Sequence, residues 1–219
     1  MINTTLIGGD GRSKLKIDSV GASFSIQRPL PPFISDPPEQ KTRIFRQYLT
    51  TDGLANNGTN QDMRVNGSVT NVDFYVKADS TKDLYITLLS FVVSDASLAL
   101  NEFGHITALT NGCVLLYEDS SGTVTIHDAI KTNFDLLRLC AGSPAFGATT
   151  NAFIASNVAG ASEAIFPILD LKAVFGFPWG VSLRNGSDQR ITLRVKDNIS
   201  VGLDQFDCIA YGFTRAKDN

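Results

Sequence analysis

Sulfur, histidine and clustered positive charge are all scarce in this chain, and each scarcity closes off a class of function. The 219 residues hold three cysteines and two histidines. Cys113, Cys140 and Cys208 are odd in number, far apart and set among apolar neighbours. That pattern fits buried free thiols in a reducing compartment better than a disulfide framework or a zinc site. Neither His105 nor His127 has a second histidine, a cysteine or a carboxylate at metal-ligand spacing, so no zinc site is expected. His127-Asp128 could join a base to its orienting acid, but a lone histidine at a strand end reads first as a surface residue, and acid-base work needs converging partners.

Lysine and arginine number 19 against 22 acids, for a net charge of -3. The basic residues are scattered, leaving no footprint for a phosphate backbone and no reason to expect nucleic acid as a partner. No apolar run approaches bilayer-spanning length, and Met1 to Leu6 lack a basic region ahead of an apolar stretch, so neither membrane anchor nor secretory signal is expected. With 43% hydrophobic and 19% charged residues, the composition is that of a folding domain and not of a disordered chain.

Catalytic and cofactor motifs are missing too. There is no Gly-X-Ser-X-Gly elbow, and Gly8-Gly9-Asp10-Gly11 lacks the Lys-Ser/Thr and following helix of a phosphate loop. Spaced acids at Asp79 to Asp83 and Asp188 to Asp204 do not match a calcium loop with its closing glutamate, and no segment singles out a carboxylate pair for glycoside hydrolysis. The reading is a non-enzyme with no catalytic, cofactor or metal residues. Five Asn-X-Ser/Thr sequons begin at Asn3, Asn57, Asn66, Asn185 and Asn198. Three of these are Asn-Gly pairs, which read as turns.

Strands are what the chain has in plenty. Val72, Phe74, Val76 and Ala78 alternate with Asp73, Tyr75, Lys77 and Asp79, and Ile191, Leu193 and Val195 alternate with charged and hydroxyl residues, the period of half-buried strands. Leu84 to Val93 is apolar at nearly every position, as in a central strand covered on both faces. Asn66-Gly67, Asn111-Gly112, Asn185-Gly186 and Ser121-Gly122 supply the positive φ of tight hairpins, and Cys113–Tyr117 with Thr123–His127 reads as one complete hairpin around Glu118–Gly122. Two short helices are expected. Thr132-Asn133 caps the first, with Phe134, Leu137 and Cys140 on one side, although an extended reading is nearly as good there. The second runs from Asp170 to Phe175, closed by Gly176 and stopped by Pro178. Ala141 to Ser162 reads as a long surface loop. Eight to ten strands without strand-helix alternation give an all-β fold, an antiparallel jelly-roll-like β-sandwich over residues 43–219.

Residues 1–42 differ. Pro29, Pro31, Pro32, Pro37 and Pro38 crowd Arg28 to Pro38, which excludes a helix or central strand and favours an extended, semi-rigid arm; a solvated linker is the alternative. If the arm has a partner, that partner is a neighbouring subunit. Arg28, Pro29, Leu30, Phe33 and Ile34 are its candidate contact residues, and Arg43, Phe45 and Arg46 form its junction with the sandwich. Phe177 and Trp179 are candidate apolar anchors, Trp179 reading either as a core plug or as an exposed platform for a sugar or a partner.

Arg43-Ile44-Phe45-Arg46-Gln47, Val72 to Asp79, Phe103-Gly104, Ala108 to Gly112, Leu203 to Phe206 and Ile209 to Gly212 together resemble virion structural proteins of tailed bacteriophages. The likeness covers most of the chain from Arg43 onward and rests on strand motifs, with no signature of one activity. It implies a virion component made in the host cytoplasm: a capsid decoration (cement) protein, a head fibre base or a tail attachment protein. Such a component would be homo-oligomeric, a trimer first, and bound to major capsid or tail proteins. A receptor- or carbohydrate-binding or tail-adaptor module is the second expectation, and a sandwich-fold hydrolase the third.

Overall fold

The computed structural model describes residues 4–7, 14–17, 43–54, 61–96, 98–104, 107–141, 154–156 and 163–216. The chain divides into two units, Met1–Lys41 and Thr42–Asn219. In the first, β1 (Thr4–Ile7) pairs antiparallel with β2 (Lys14–Ile17), Thr4 opposite Ile17. The segment expected to be an extended arm therefore begins with a hairpin whose strands satisfy each other's backbone groups. Gly8-Gly9-Asp10-Gly11 and the proline-rich stretch lie outside the described residues.

The second unit is all-β, with two antiparallel sheets. Its strands are β3 (Arg43–Tyr48), β4 (Val72–Lys77), β5 (Lys82–Asp95), β6 (Cys113–Asp119), β7 (Gly122–Ile130), β8 (Ile154–Ser156), β9 (Glu163–Ile165), β10 (Ile168–Asp170), β11 (Val181–Leu183), β12 (Arg190–Val195) and β13 (Gln205–Ala216). One sheet runs β3-β13-β5-β9-β8, with β10 and β11 also on β5; the other runs β4-β12-β6-β7. The strand count exceeds the expectation because three of the short strands, β11, β10 and β9, share one edge of the 14-residue β5. Runs of three residues are too short to carry a readable period.

Alternation fixes which side chains meet. Phe74 and Val76 of β4, Leu115 of β6 and Leu193 of β12 are buried in one core with Leu89 and Phe91 of β5 and Phe206 and Cys208 of β13. The two sheets thus pack face to face as a sandwich. Phe103 and Phe206 meet edge to face, with centroids 5.2 Å apart, an arrangement that adds to the burial of both rings. As expected, β5 is central, but only one of its faces is fully buried. On the other, Tyr85, Leu88 and Val92 stay half-buried, and Tyr85 is covered by the stacked ring of Phe213 on β13, 4.8 Å away.

Local chemistry ends the elements. The Thr132 hydroxyl accepts from the Asp135 amide at 3.0 Å, while Asp135 accepts from the amides of Lys131 and Thr132. This reciprocal cap starts α1 (Asn133–Ala141) and decides for a helix. Its buried side carries Leu136 and Cys140; Phe134, expected inward, is exposed under the Arg138 guanidinium. The hairpin β6-β7 is tighter than expected, with Ser120-Ser121 between the strands and Asp119 accepting from the Ser121 amide and hydroxyl. Gly112 and Gly186 adopt positive φ, whereas Gly67 does not. Gly67 is needed for closeness: a Cβ there would sit 2.3 Å from the Val195 carbonyl oxygen. Nor does Asn185-Gly186 close a hairpin, since it lies between β11 of one sheet and β12 of the other.

Asp197 ties the start of β6 to the end of β12. Its carboxylate accepts from the amides of Asn111 (2.7 Å) and Gly112 (2.6 Å) and from the Asn111 side chain (3.1 Å). Asp197→Ala leaves donors without an acceptor and should cost about 2 kcal/mol in a urea unfolding titration. A loss below about 0.5 kcal/mol would show that water replaces the carboxylate.

All three cysteines are buried as thiols, outside any disulfide. Burial, aided by the nearby Asp197 charge, pushes Cys113 up to about 12 from the ordinary 9.0, and burial alone does the same to Cys140. The unfolded chain releases these protons near 9, while the folded chain holds them. Stability is therefore intact below that value and falls as pH rises through it. The folded protein should resist alkylation at pH 8 and react at all three thiols only in denaturant, as mass spectrometry would count them.

Candidate interaction surface

The approach to β11 is built around one short helix. Asp170 caps α2 (Leu171–Phe175), its carboxylate accepting from the amides of Lys172 and Ala173, and Gly176 closes the helix in the left-handed conformation at φ 68°. Pro178 then turns the chain, and the Gly180 amide donates to the Phe177 carbonyl at 3.1 Å. Gly180, at φ 72°, lies so close to β5 that a Cβ would fall 2.1 Å from the Ile86 carbonyl oxygen. With Val181 in register against Ile86, this contact locks Phe177-Pro178-Trp179 onto the sheet.

Phe175, Phe177 and Trp179 from this loop, with Tyr117 from β6 of the other sheet, line an apolar cleft of about 360 Å³. Phe177 is 54% exposed and Trp179 half-buried. Trp179 is thus neither a pure core plug nor a free platform, since part of its ring packs and part faces the cleft. Burial, with the Asp119 carboxylate beside the hydroxyl, raises the Tyr117 pKa and keeps a neutral phenol at the cleft.

A second cleft of about 500 Å³ is polar and opens on the outer face of the four-stranded sheet, where Lys77, Asp119, Asp188 and Arg190 line it. Part of the charge on that outer face is paired within the sheet. Glu118 accepts from Arg190 at 2.7 Å and from the Thr192 hydroxyl at 2.5 Å, Arg194 makes a two-pronged pair with Asp73 at 2.7 and 2.8 Å, and the Arg190 guanidinium covers the Tyr75 ring. Such cross-strand pairs fix register more than they offer free charge to a ligand.

At β3 the junction residues separate by face. Arg46 points outward, donating to the hydroxyls of Tyr48 (2.7 Å) and Tyr211 (3.4 Å) beneath its guanidinium. Phe45 turns inward and packs on the core. Arg43 opposes Thr214 in the ladder. Ile44, 92% exposed on the outer face, was not picked out by sequence reasoning, although its place between Arg43 and Phe45 in a strand signals the opposite face from Phe45. Arg28, Pro29, Leu30, Phe33 and Ile34 lie outside the described residues.

Chemistry finds little here. The His127 Nε2 is buried without a hydrogen-bond partner, and His105 lies outside the described residues. Among the described residues no cluster of three or more His, Cys, Asp or Glu could hold a metal ion, and no helix is long and apolar enough to cross a membrane. Of the candidate residues, the structure brings together Phe177 and Trp179 and adds Tyr117 and Phe175, which sequence reasoning missed because they come from a strand and a helix without any shared period. Comparison with protein-family models, with curated proteins and with solved structures returns no match.

Proposed function

We propose that this chain is a non-enzymatic structural component of a virion, a capsid decoration (cement) protein that oligomerises and binds major capsid or tail proteins. The observation that carries the reading is the aromatic cleft. Phe177 and Trp179 are held on a rigid turn and half-exposed, the presentation that makes an aromatic anchor in a protein interface. Burying the exposed part of Phe177 against a partner contributes about 1–2 kcal/mol per copy, and several identical copies engaging at once multiply the affinity.

Strand order supports a jelly roll. With β9 to β11 counted as one broken strand along β5 and the short strand β8 taken as an addition outside it, eight strands run first-eighth-third-sixth in one sheet and second-seventh-fourth-fifth in the other, the order two Greek keys produce. Sandwiches of this kind host binders, enzymes and shells alike, so the order bears on architecture and the cleft on function. The resemblance to phage virion proteins points the same way.

Light scattering after size exclusion tests the reading: a closed oligomer, a trimer first, is the expected mass, and a chain without residues 1–41 is expected to lose its docking on particles. A monomer that docks equally well with and without those residues would overturn it. A carbohydrate-binding module is the second reading, favoured by the partly exposed Trp179 ring beside Tyr117. It requires glycan-array binding that disappears in Trp179→Ala, and a silent array removes it.

A further inference from the structure

The run from Leu84 to Val93 is apolar enough for a strand covered on both faces, yet the four-stranded sheet closes only the inner face of β5. On the outer face of the seven-stranded sheet the apolar side chains remain. Register puts Ile44 of β3, Phe213 of β13 and Tyr85 of β5 on one rung, and Arg46, Tyr211 and Leu88 on the next. Two contacts show that neighbours on these rungs share a face: the Tyr85 and Phe213 rings stack, and Arg46 donates to the hydroxyls of Tyr48 and Tyr211. Ile44 is 92% exposed there, and Ile168, opposite Ser90 on β10, is 37% exposed. The solvated face of an antiparallel sheet ordinarily carries polar side chains, and a contiguous apolar one marks an interaction surface.

Composition and shape select the partner. The Ile44, Arg46 and Tyr48 rungs of β3, β13 and β5 carry nine outward side chains, of which Arg46 alone is charged. Toward both ends of the strands the ladder turns polar, with Arg215 opposite Asp83 and Gln205 opposite Ser94. An apolar centre within a polar rim, rich in rings and poor in charge, is the makeup of contacts between identical chains more than between unlike ones. From β3 to the β10–β11 edge the face is four strands wide, about 19 Å, and from Tyr85 to Val92 it is about 24 Å long. The flat footprint is therefore about 450 Å² per copy and about 900 Å² for a pair, and the relief of the side chains carries the accessible area past the roughly 1,000 Å² of a specific interface. A flat face this wide is filled by another sheet, and sheets pack aligned when their twists match. An identical chain supplies the same twist.

We propose that the outer face of the seven-stranded sheet pairs with the same face of a second copy, about a twofold axis that lies between the two sheets and runs along the strands. That axis sets β3 of each copy over the β10–β11 edge of the other. The two Arg46 side chains then stand three strand spacings apart, about 14 Å, beyond the screening length of about 8 Å at physiological salt. An axis across the strands would lay β3 over β3 and bring them together. The pairing uses neither the aromatic cleft nor the virion reading.

Sedimentation equilibrium of the full chain from about 1 to 100 μM should find an even number of copies: two, or six where the trimer expected above also forms. Ile44→Lys, at the most exposed apolar residue of the face, should weaken the pairing at least ~10-fold, about 1.4 kcal/mol, with an unchanged urea midpoint. Ile168→Lys should act alike, while Val124→Lys, at a residue 55% exposed on β7 of the other sheet, should leave the mass as it is. With benzoylphenylalanine in place of Ile44, ultraviolet light should link two copies, the attachment falling on β10 or β11 of the second. A monomer throughout that range, a mass indifferent to both lysines, or a link confined to one copy overturns the proposal. A trimer that ignores both lysines overturns it while leaving the assembly reading standing, and a lysine-sensitive pair that fails to dock on particles supports it while sinking that reading.

Discussion

Phe206→Ala should lower the stability of the sandwich by about 4 kcal/mol, the cost of an unfilled large-to-small change in a packed core. Phe206 is fully buried on the inner face of β13, opposite Val93 in register, and its ring meets the face or edge of Phe103 at 83°. Removing it takes away both the ring's burial and its partner's contact. Against a total of about 5–15 kcal/mol, the loss is a large share. Urea titration should find a lower midpoint with an unchanged slope. A cost under about 2 kcal/mol would mean that the neighbouring side chains collapse into the space.

The second large effect joins stability to the cleft. Gly180→Ala places a residue with a Cβ at φ 72° and puts that Cβ 2.1 Å from the Ile86 carbonyl oxygen. Left-handed backbone costs an L-residue about 1–2 kcal/mol, and the overlap adds about 1–3 kcal/mol because backbone must move. A combined loss near 3 kcal/mol corresponds to about 10 °C in Tm for a domain of this size. Since the carbonyl belongs to the residue paired with Val181, the shift also loosens the turn that carries Phe177 and Trp179, and Trp179 emission should move to longer wavelength in the folded protein. An unchanged spectrum with unchanged Tm would show that the turn is not locked through Gly180.

How much of this was legible in the sequence depends on how local each determinant is. β4 and β12 could be read from alternation because their outer faces are wet and their inner faces dry. The central place of β5 followed from a run that is apolar at nearly every position from Leu84 to Val93. Asp170, Gly176 and Pro178 specified α2 within a few residues, and Thr132 with Asp135 held the cap of α1. What escaped notice is set by contacts far apart in sequence. Gly67 and Gly180 are glycines because another strand's carbonyl passes beside them, which no dipeptide pattern encodes. Phe134 fell on the wrong side because the helix turns Leu136 and Cys140 into the core and leaves the Phe134 ring outside beneath Arg138. Phe177 and Trp179 stood out through their composition, while Tyr117 joins them only because the opposite sheet brings β6 there. The fold class was therefore visible in strand periodicity, and the cleft only half visible.

The uneven edges of β5 bear on how such a sequence diversifies. On one side β13 pairs along almost the whole strand, from Gln205 opposite Ser94 to Ala216 opposite Lys82. A residue inserted midway there would turn each later side chain from the core to solvent. On the other side β11, β10 and β9 each hold their own three-residue register, so residues gained or lost in the joints between them leave the remaining pairs untouched. One of those joints carries Phe177 and Trp179. Length variation is thereby channelled to the side that carries the aromatic cleft, and the shape of that cleft can change across generations while the scaffold beneath it keeps its register.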